Sequence, residues 1–255
     1  MRKSTTSLAP TSLFERQSRH YRTGRPTYPP ALFAWLADHL PHRRLAWDCA
    51  TGTGQAARGL LPHLDAIVAT DLSAGQIEAA LPHPRITYRQ AEATAAGLPD
   101  ASVALITVAT ALHWLPDLPA FFAEAHRALS PGGLLAAWTY GSQHVTPEID
   151  ALIDHLSAEI LDGLWAPQVA LAGRGYGELT WPFEELPTPA LQHETPYDVE
   201  RFLSYLRSWS ASQRFVDRFH EDPTDRIAAP LREAWGAGER MVRWPLSLRV
   251  GRKAA

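Results

Sequence analysis

The residues of this 255-residue chain best suited to chemistry form one run, Asp48-Cys49-Ala50-Thr51-Gly52-Thr53-Gly54-Gln55, followed by an isolated acid, Asp71. Gly52 and Gly54 let backbone come close to a bound group, and a helix starting behind them would aim its first N–H groups at it. With Ala57 the spacing satisfies G-x-G-x-x-A, a dinucleotide fingerprint. Asp71 lies at about the separation expected of an acid that accepts both hydroxyls of a ribose. The bland alternative is an ordinary tight turn with a solvated capping acid, and the coincidence of loop, helix and acid argues against it. A second cluster is Ala111-Leu112-His113-Trp114. A neutral imidazole at His113 can take a proton from a hydroxyl or amine. The same His–Trp pair can equally be packing that shapes a pocket floor.

These residues need elements to hold them. Residues 45–49 read as a short strand entering the glycine loop, and 55–61 as a helix leaving it. An apolar strand follows at 66–70 and Asp71 closes it. Ser73 can cap the next helix, which ends before Pro82. Strands are expected at 85–89 and, as a continuous apolar run of the buried parallel type, at 103–109. A helix over 119–129 should stop at Ser130-Pro131-Gly132-Gly133, with a fifth strand over 134–140. A helix over 31–40 precedes the series. Strand and helix therefore alternate from residue 45 to 140, which predicts a doubly wound, Rossmann-like, mostly parallel sheet with helices on both faces. The carboxyl ends of its strands form the ligand edge.

Beyond Tyr140 the alternation lapses. Residues 147–161 read as helical, and 163–189 as an irregular insert rich in Gly, Pro and aromatic residues. A strand at 191–195 and helices at 199–209, 212–220 and 225–235 follow. The chain closes on a strand-like run, 242–250, whose Pro245 suggests an edge strand or a bulge. This reading divides the chain into a tail and cofactor-closing segment (1–30), a cofactor-binding core (31–141), an insert or lid for substrate (142–190) and a C-terminal part of the core sheet (191–255).

Composition narrows the function. The net charge of -3 and the scattered basic residues suggest neither nucleic acid nor an anionic membrane as partner. No apolar run reaches the roughly 18 residues of a membrane helix, and residues 1–12 lack a signal core. One cysteine, Cys49, excludes an internal disulfide and a cysteine-based zinc site. H-E-x-x-H and G-x-S-x-G are absent, which removes zincin and serine-hydrolase readings, and no metal site is expected. The expectation is a cytoplasmic monomer or homodimer. Most of the nine tryptophans lie beyond residue 100, hinting at an aromatic-lined second half.

Two nucleoside cofactors fit the loop, a nicotinamide dinucleotide and S-adenosylmethionine. Asp48 would repel a pyrophosphate but can attract an ammonium or orient the loop, which favours the sulfonium cofactor. At this point the residues resemble a known family. Asp48 to Gln55 resembles the first motif of class I S-adenosylmethionine-dependent methyltransferases, and Ala69-Thr70-Asp71-Leu72-Ser73 the second-strand motif. Gln90-Ala91-Glu92, with Leu98-Pro99, is similar to the adenine-proximal segment. Residues 103–114 resemble the fourth motif, and Ala128 to Gly133 the turn before strand five. Tyr21-Arg22-Thr23-Gly24-Arg25-Pro26-Thr27-Tyr28-Pro29 and the tail Trp244 to Arg249 resemble a small-molecule branch that includes trans-aconitate methyltransferase-like proteins. Two positions depart from the pattern: Ala50 stands where the family usually has a glycine, and Ala104 where the fourth strand often has an Asp.

The resemblance implies a seven-stranded sheet and residue roles. Ala50, Gly52, Gly54 and Gln55 would line the methionine part and ribose, with Asp48 beside them. Asp71 would hold the ribose hydroxyls and Leu72 would pack on adenine, whose edge would lie by Ala91 and Glu92. Thr107, Val108 and Ala109 would end strand four below the transferable methyl. Tyr21 and Arg25 would close over the cofactor. Arg25 matches its carboxylate bidentately, or is a surface arginine. Trp114 and Tyr140 are candidates for the acceptor pocket, Tyr140 being otherwise plain core, and His113 is the candidate base. The implied activity is methyl transfer to an organic-acid carboxylate or to an O or N atom of a secondary metabolite, yielding S-adenosylhomocysteine. A non-methylating cofactor-binding protein of the same fold and, more remotely, a nicotinamide oxidoreductase are the alternatives.

Overall fold

A computed structural model describes residues 27–254. Tyr21 and Arg25, both assigned to the cofactor above, lie outside the described residues. Helix α1 (Pro30–Asp38) leads into strand β1 (Leu45–Cys49), helix α2 (Gln55–Leu60), strand β2 (Ala66–Asp71), helix α3 (Ala74–Ala79) and strand β3 (Ile86–Gln90). Strand β4 (Val103–Ala109), a 3-10 turn (Leu112–Trp114), helix α4 (Leu118–Ala128) and strand β5 (Leu129–Tyr140) complete the alternating part. As expected, Ser73 caps α3, its hydroxyl accepting from Gln76 N at 3.3 Å. Asp117 does the same for α4 through Ala120 N at 2.9 Å, satisfying helix-end N–H groups that have no partner within the helix.

The sheet runs β3-β2-β1-β4-β5 in parallel. Strand β8 (Arg240–Arg252) then adds antiparallel to β5, and β6 (Glu184–Glu185) and β7 (Leu191–Tyr197) both pair with β8. Seven strands lie on one path and β7 off it. This is the Rossmann-like sheet expected, with order reversing between β1 and β4, the position where such sheets bind ligands.

Alternate residues of the strands face opposite layers. Trp47, Ile106 and Val108 pack with Phe121 of α4 and with Tyr176 and Phe183 of the insert. Ala46, Leu105 and Trp138 pack with Leu32, Phe33 and Leu36 of α1 and with Leu60 of α2. Trp47 and Trp138 are fully buried, and each such ring contributes about 4–6 kcal/mol on the water-transfer scale. A third cluster joins helices α5 (Pro147–His155), α7 (Val199–Arg207), α8 (Ser210–Phe219) and α9 (Asp225–Trp235) to Trp244 of β8. Among the described residues no helix is long and apolar enough to cross a membrane.

Three local expectations need correction. Residues 130–133 do not separate α4 from a later strand. Leu129 already pairs with Val103, residues 130–133 bulge, and pairing resumes at Leu134 opposite Leu105; Gly132, at φ +74°, supplies the left-handed step. The stretch 163–189 is not wholly irregular, because it holds helix α6 (Pro167–Gly173) and β6. Pro245 is not on an edge strand. It sits where β8 changes partners, pairing with Gln192 of β7 while its carbonyl accepts from Gly141 N at 2.7 Å. Its missing N–H falls at the hand-over between the two ladders, where it removes little.

Candidate active site

The loop after β1 is built around Asp48. This side chain is fully buried and accepts from Thr51 Oγ1 at 2.5 Å, Thr107 Oγ1 at 2.6 Å and Ala57 N at 3.1 Å. One carboxylate thus ties the loop to the start of α2 and to β4. Burial pushes its pKa up to about 6, against the opposing pull of the bonds from Thr107, Thr51 and Ala57. Ala50 (φ +53°), Gly52 (φ +57°) and Gly54 (φ +89°) all take left-handed conformations. At Ala50 a Cβ is carried at a cost of about 1–2 kcal/mol, so the turn survives the departure from glycine. Gly54 has a different reason to be glycine: a Cβ there would overlap the Tyr88 ring and hydroxyl.

Asp71 ends β2 and clamps the two loops. Its Oδ2 accepts from Gly52 N at 2.8 Å and its Oδ1 from Ser73 N at 2.9 Å. Burial pushes its pKa up, while the N–H groups of Ser73, Gly52 and Leu72 pull it back. A carboxylate oxygen has more than one acceptor position, so each keeps capacity toward a ligand.

A cavity of about 320 Å³ opens above these loops, at the lower end of the range of roughly 300–1,000 Å³ usual for small-molecule sites. Ala50, Gly52 and Gln55 from the glycine loop line it, with Asp71 and Leu72 after β2, Ala91 and Glu92 after β3, and Trp114 after β4. Leu72, 54% exposed, stands at the cavity's outer edge.

Six predicted residues do not line the cavity. Asp48 and Thr107 lie beneath the loop, bonded to each other. Gly54 faces Tyr88. Val108 points into the core under α4, because residues alternate along β4 and its neighbour Ala109 takes the cavity side. Tyr140 donates its hydroxyl to Thr27 O at 2.7 Å and stacks on Tyr28, ring centroids 5.4 Å apart. His113 is buried, and its Nδ1 lies 3.0 Å from the Tyr176 hydroxyl.

Sequence reasoning missed Tyr28 and Thr110, which both line the cavity and whose hydroxyl oxygens are 3.3 Å apart. Tyr28 lay inside the P-x-Y-P stretch already noted, and Thr110 follows directly on β4, so both had a positional signal. A further property belongs to no single segment. Asp71, Glu92 and Asp117 bring carboxylates to the cavity, and its described lining holds no Lys, Arg or His. That set of acceptors suits a ribose diol and a cationic centre, and opposes a pyrophosphate.

Comparison with known proteins agrees. Residues 47–137 match the family described as Methyltransferase domain. A Dictyostelium discoideum protein named "Putative methyltransferase" is 32% identical over 222 residues, covering 86% of this chain and 84% of its own. An "Uncharacterized methyltransferase" of Schizosaccharomyces pombe is 30% identical over 229 residues, 86% of each chain. Among solved structures, a "Putative Type II Methyltransferase" from Anaeromyxobacter dehalogenans superposes with a TM-score of 0.85 at 43% identity, covering 90% of this chain and 98% of that one. The fold and site thus define a methyltransferase. The chain belongs to the class I S-adenosylmethionine-dependent methyltransferases, and the nicotinamide alternative falls away.

Proposed function

We propose that this cavity holds S-adenosylmethionine along the sheet edge and that the methyl passes to a small molecule entering at the β4–β5 end. Asp71 would take the ribose hydroxyls, Leu72 and Ala91-Glu92 would flank the adenine, and Ala50, Gly52 and Gln55 would face the amino-acid portion. The observation that carries this reading is the Asp71 carboxylate, preset by Gly52 N and Ser73 N at the mouth of a cavity whose described lining offers carboxylates and no cation.

When bound, the cofactor supplies an electrophilic methyl on a sulfonium. The protein's part is alignment and exclusion of water, and alignment alone can contribute several kcal/mol. Asp48 serves this indirectly by fixing the loop between β4 and α2. Trp114 and the hydroxyls of Tyr28 and Thr110 would face the acceptor, while Thr107, Val108 and Tyr140 would shape that end from behind. His113 would act as a positioning residue through Tyr176 and its neighbour Trp114. The insert, residues 142–190, would cover the acceptor. The likeness of the Tyr21–Pro29 stretch to the trans-aconitate-like branch supports a small acceptor.

Two measurements test the proposal. S-adenosylmethionine or S-adenosylhomocysteine at a hundred times its Kd should stabilise the fold by about 2.7 kcal/mol in thermal denaturation, and NAD should not. Methyl-labelled cofactor and enzyme are then incubated with separated small-molecule, protein and RNA fractions of a cell extract. Label in the small-molecule fraction supports the reading. Label confined to protein or RNA refutes the small-molecule acceptor.

A further inference from the structure

Resting on the reading of the cavity above, we propose that its β4–β5 end recognises an uncharged, flat, hydroxyl-bearing molecule of the phenol type, oriented by the hydroxyls of Thr110 and Tyr28 and packed by Trp114. Three observations carry this.

The first is backbone strain. Thr110 stands at φ +54°, a conformation in which a β-branched residue is a genuine outlier. Its N–H donates to Trp138 O at 2.7 Å, which locks the end of β4 to β5 in that conformation. Strain of this kind persists only where the surroundings over-determine it, and it concentrates at ligand sites. Here its result is a hydroxyl on the cavity wall. Thr110 Oγ1 shares one hydrogen bond with the Tyr28 hydroxyl at 3.3 Å. A hydroxyl offers one donor and two acceptor positions, so Thr110 retains capacity toward a ligand.

The second is the rigidity of Tyr28. Its ring stacks on Tyr140 at 5.4 Å and meets Trp138 edge-on at 5.2 Å and Phe33 edge-on at 6.4 Å. Tyr140 in turn donates to Thr27 O. Rings and backbone together pin the segment that carries Tyr28, so its hydroxyl presents a fixed target beside Thr110.

The third is charge and shape. Trp114, Leu115, Pro116, Ala109 and Ala111 supply an apolar and partly aromatic wall. Beyond Asp71 and Glu92, which the cofactor would occupy, a carboxylate acceptor would meet Asp117 with no cation in the described lining, and like charges in a partly enclosed site repel. A protonated amine would be attracted, but it has no lone pair to methylate, and the imidazole of His113 is engaged with Tyr176 outside the cavity lining. A neutral hydroxyl meets both conditions. Its methylation forms an O–C bond from an oxygen lone pair, the S–C bonding pair returns to sulfur, and the hydroxyl proton leaves to solvent.

The test uses the full chain saturated with S-adenosylhomocysteine and three probes of one shape, phenol, benzylamine and benzoate, titrated by ligand-observed NMR. Phenol should bind, with benzoate about tenfold weaker or worse. Thr110→Val keeps the branched shape and removes the hydroxyl, so phenol should weaken about fivefold while S-adenosylhomocysteine binds as before. Thr110→Ser should restore phenol binding. Tighter binding of benzoate or of benzylamine than of phenol would overturn the proposal. So would phenol binding indifferent to Thr110→Val, or no binding of any probe to the loaded protein. Failure of S-adenosylhomocysteine itself to bind is a separate result, and it would sink the reading of the cavity on which this one rests.

Discussion

Replacing Asp71 by Ala separates its two tasks, gripping a ribose and clamping two loops. In the proposed complex the carboxylate accepts from two ribose hydroxyls, and hydrogen bonds to a charged group contribute about 1.5–3 kcal/mol each. Even at the lower figure the pair amounts to about 3 kcal/mol, or roughly a hundredfold in Kd. The clamp is the smaller effect. Without Asp71, the N–H groups of Gly52 and Ser73 lose acceptors at 2.8 and 2.9 Å, but both bonds are only partly buried and water can replace the carboxylate. The stability loss should stay near 1 kcal/mol, a shift of about 2–4 °C in Tm for a chain of this size. Calorimetric titration of S-adenosylhomocysteine into both proteins, beside their unliganded denaturation curves, reads the two effects apart. Affinity within threefold of wild type in a folded Asp71→Ala protein would refute the ribose assignment. A collapse of the fold would show instead that the clamp had been underrated, and Asp71→Asn, which keeps one acceptor oxygen, would then decide the matter.

Other outcomes follow from the same structure. Burial raises the folded-state pKa of Asp48 from 3.8 to about 6, so this group stabilises the fold fully below about pH 4 and loses that contribution as pH rises through 6. Relative to Asp48→Asn, wild type should lose about 2 kcal/mol between pH 4 and 7 in urea denaturation; a pH-independent difference would contradict the assignment. Gly54→Ala should cost more than about 2 kcal/mol, because its φ of +89° and its contact with Tyr88 both oppose a Cβ, and adding Tyr88→Ala should recover the steric part. His113→Ala should lower Tm by a few degrees through the lost Tyr176 bond yet leave S-adenosylhomocysteine affinity within about threefold; a large loss of affinity would return His113 to the site. Arg249 donates to the carbonyls of Tyr176 and Leu179 and pairs with Glu185, so Arg249→Met should speed limited proteolysis between residues 174 and 185. Unchanged cleavage would mean that packing alone holds the insert.

Much of this protein was legible in the chain because its information is local. The glycine loop, the acid closing β2, the cap at Ser73 and the apolar run 103–109 each depend on neighbours a few residues away, and together they dictate alternating strands and helices with a ligand edge. Asp71, Gly52 and Trp114 could be placed at that edge because strand ends converge there in any doubly wound sheet. What the chain left open depended on direction or on distant partners. Whether Val108 or Ala109 faces the cavity is set by the register of β4 in the sheet. The need for glycine at position 54 comes from Tyr88, on a different strand, and the engagement of His113 comes from Tyr176, 63 residues away. Pro245 read as an edge because the sequence does not show that β8 exchanges one partner for another at that residue.

The sequence by itself determined the class of fold, the glycine loop after β1 and the acid closing β2, since turn chemistry and strand periodicity are short-range. Only the tertiary structure decided the sign of the charge among the described residues lining the cavity and the hydroxyl pair at its β4–β5 end. Those properties sum contributions from the ends of three strands and from a segment ahead of α1. No stretch of chain carries such a sum until packing brings its parts within a few ångströms.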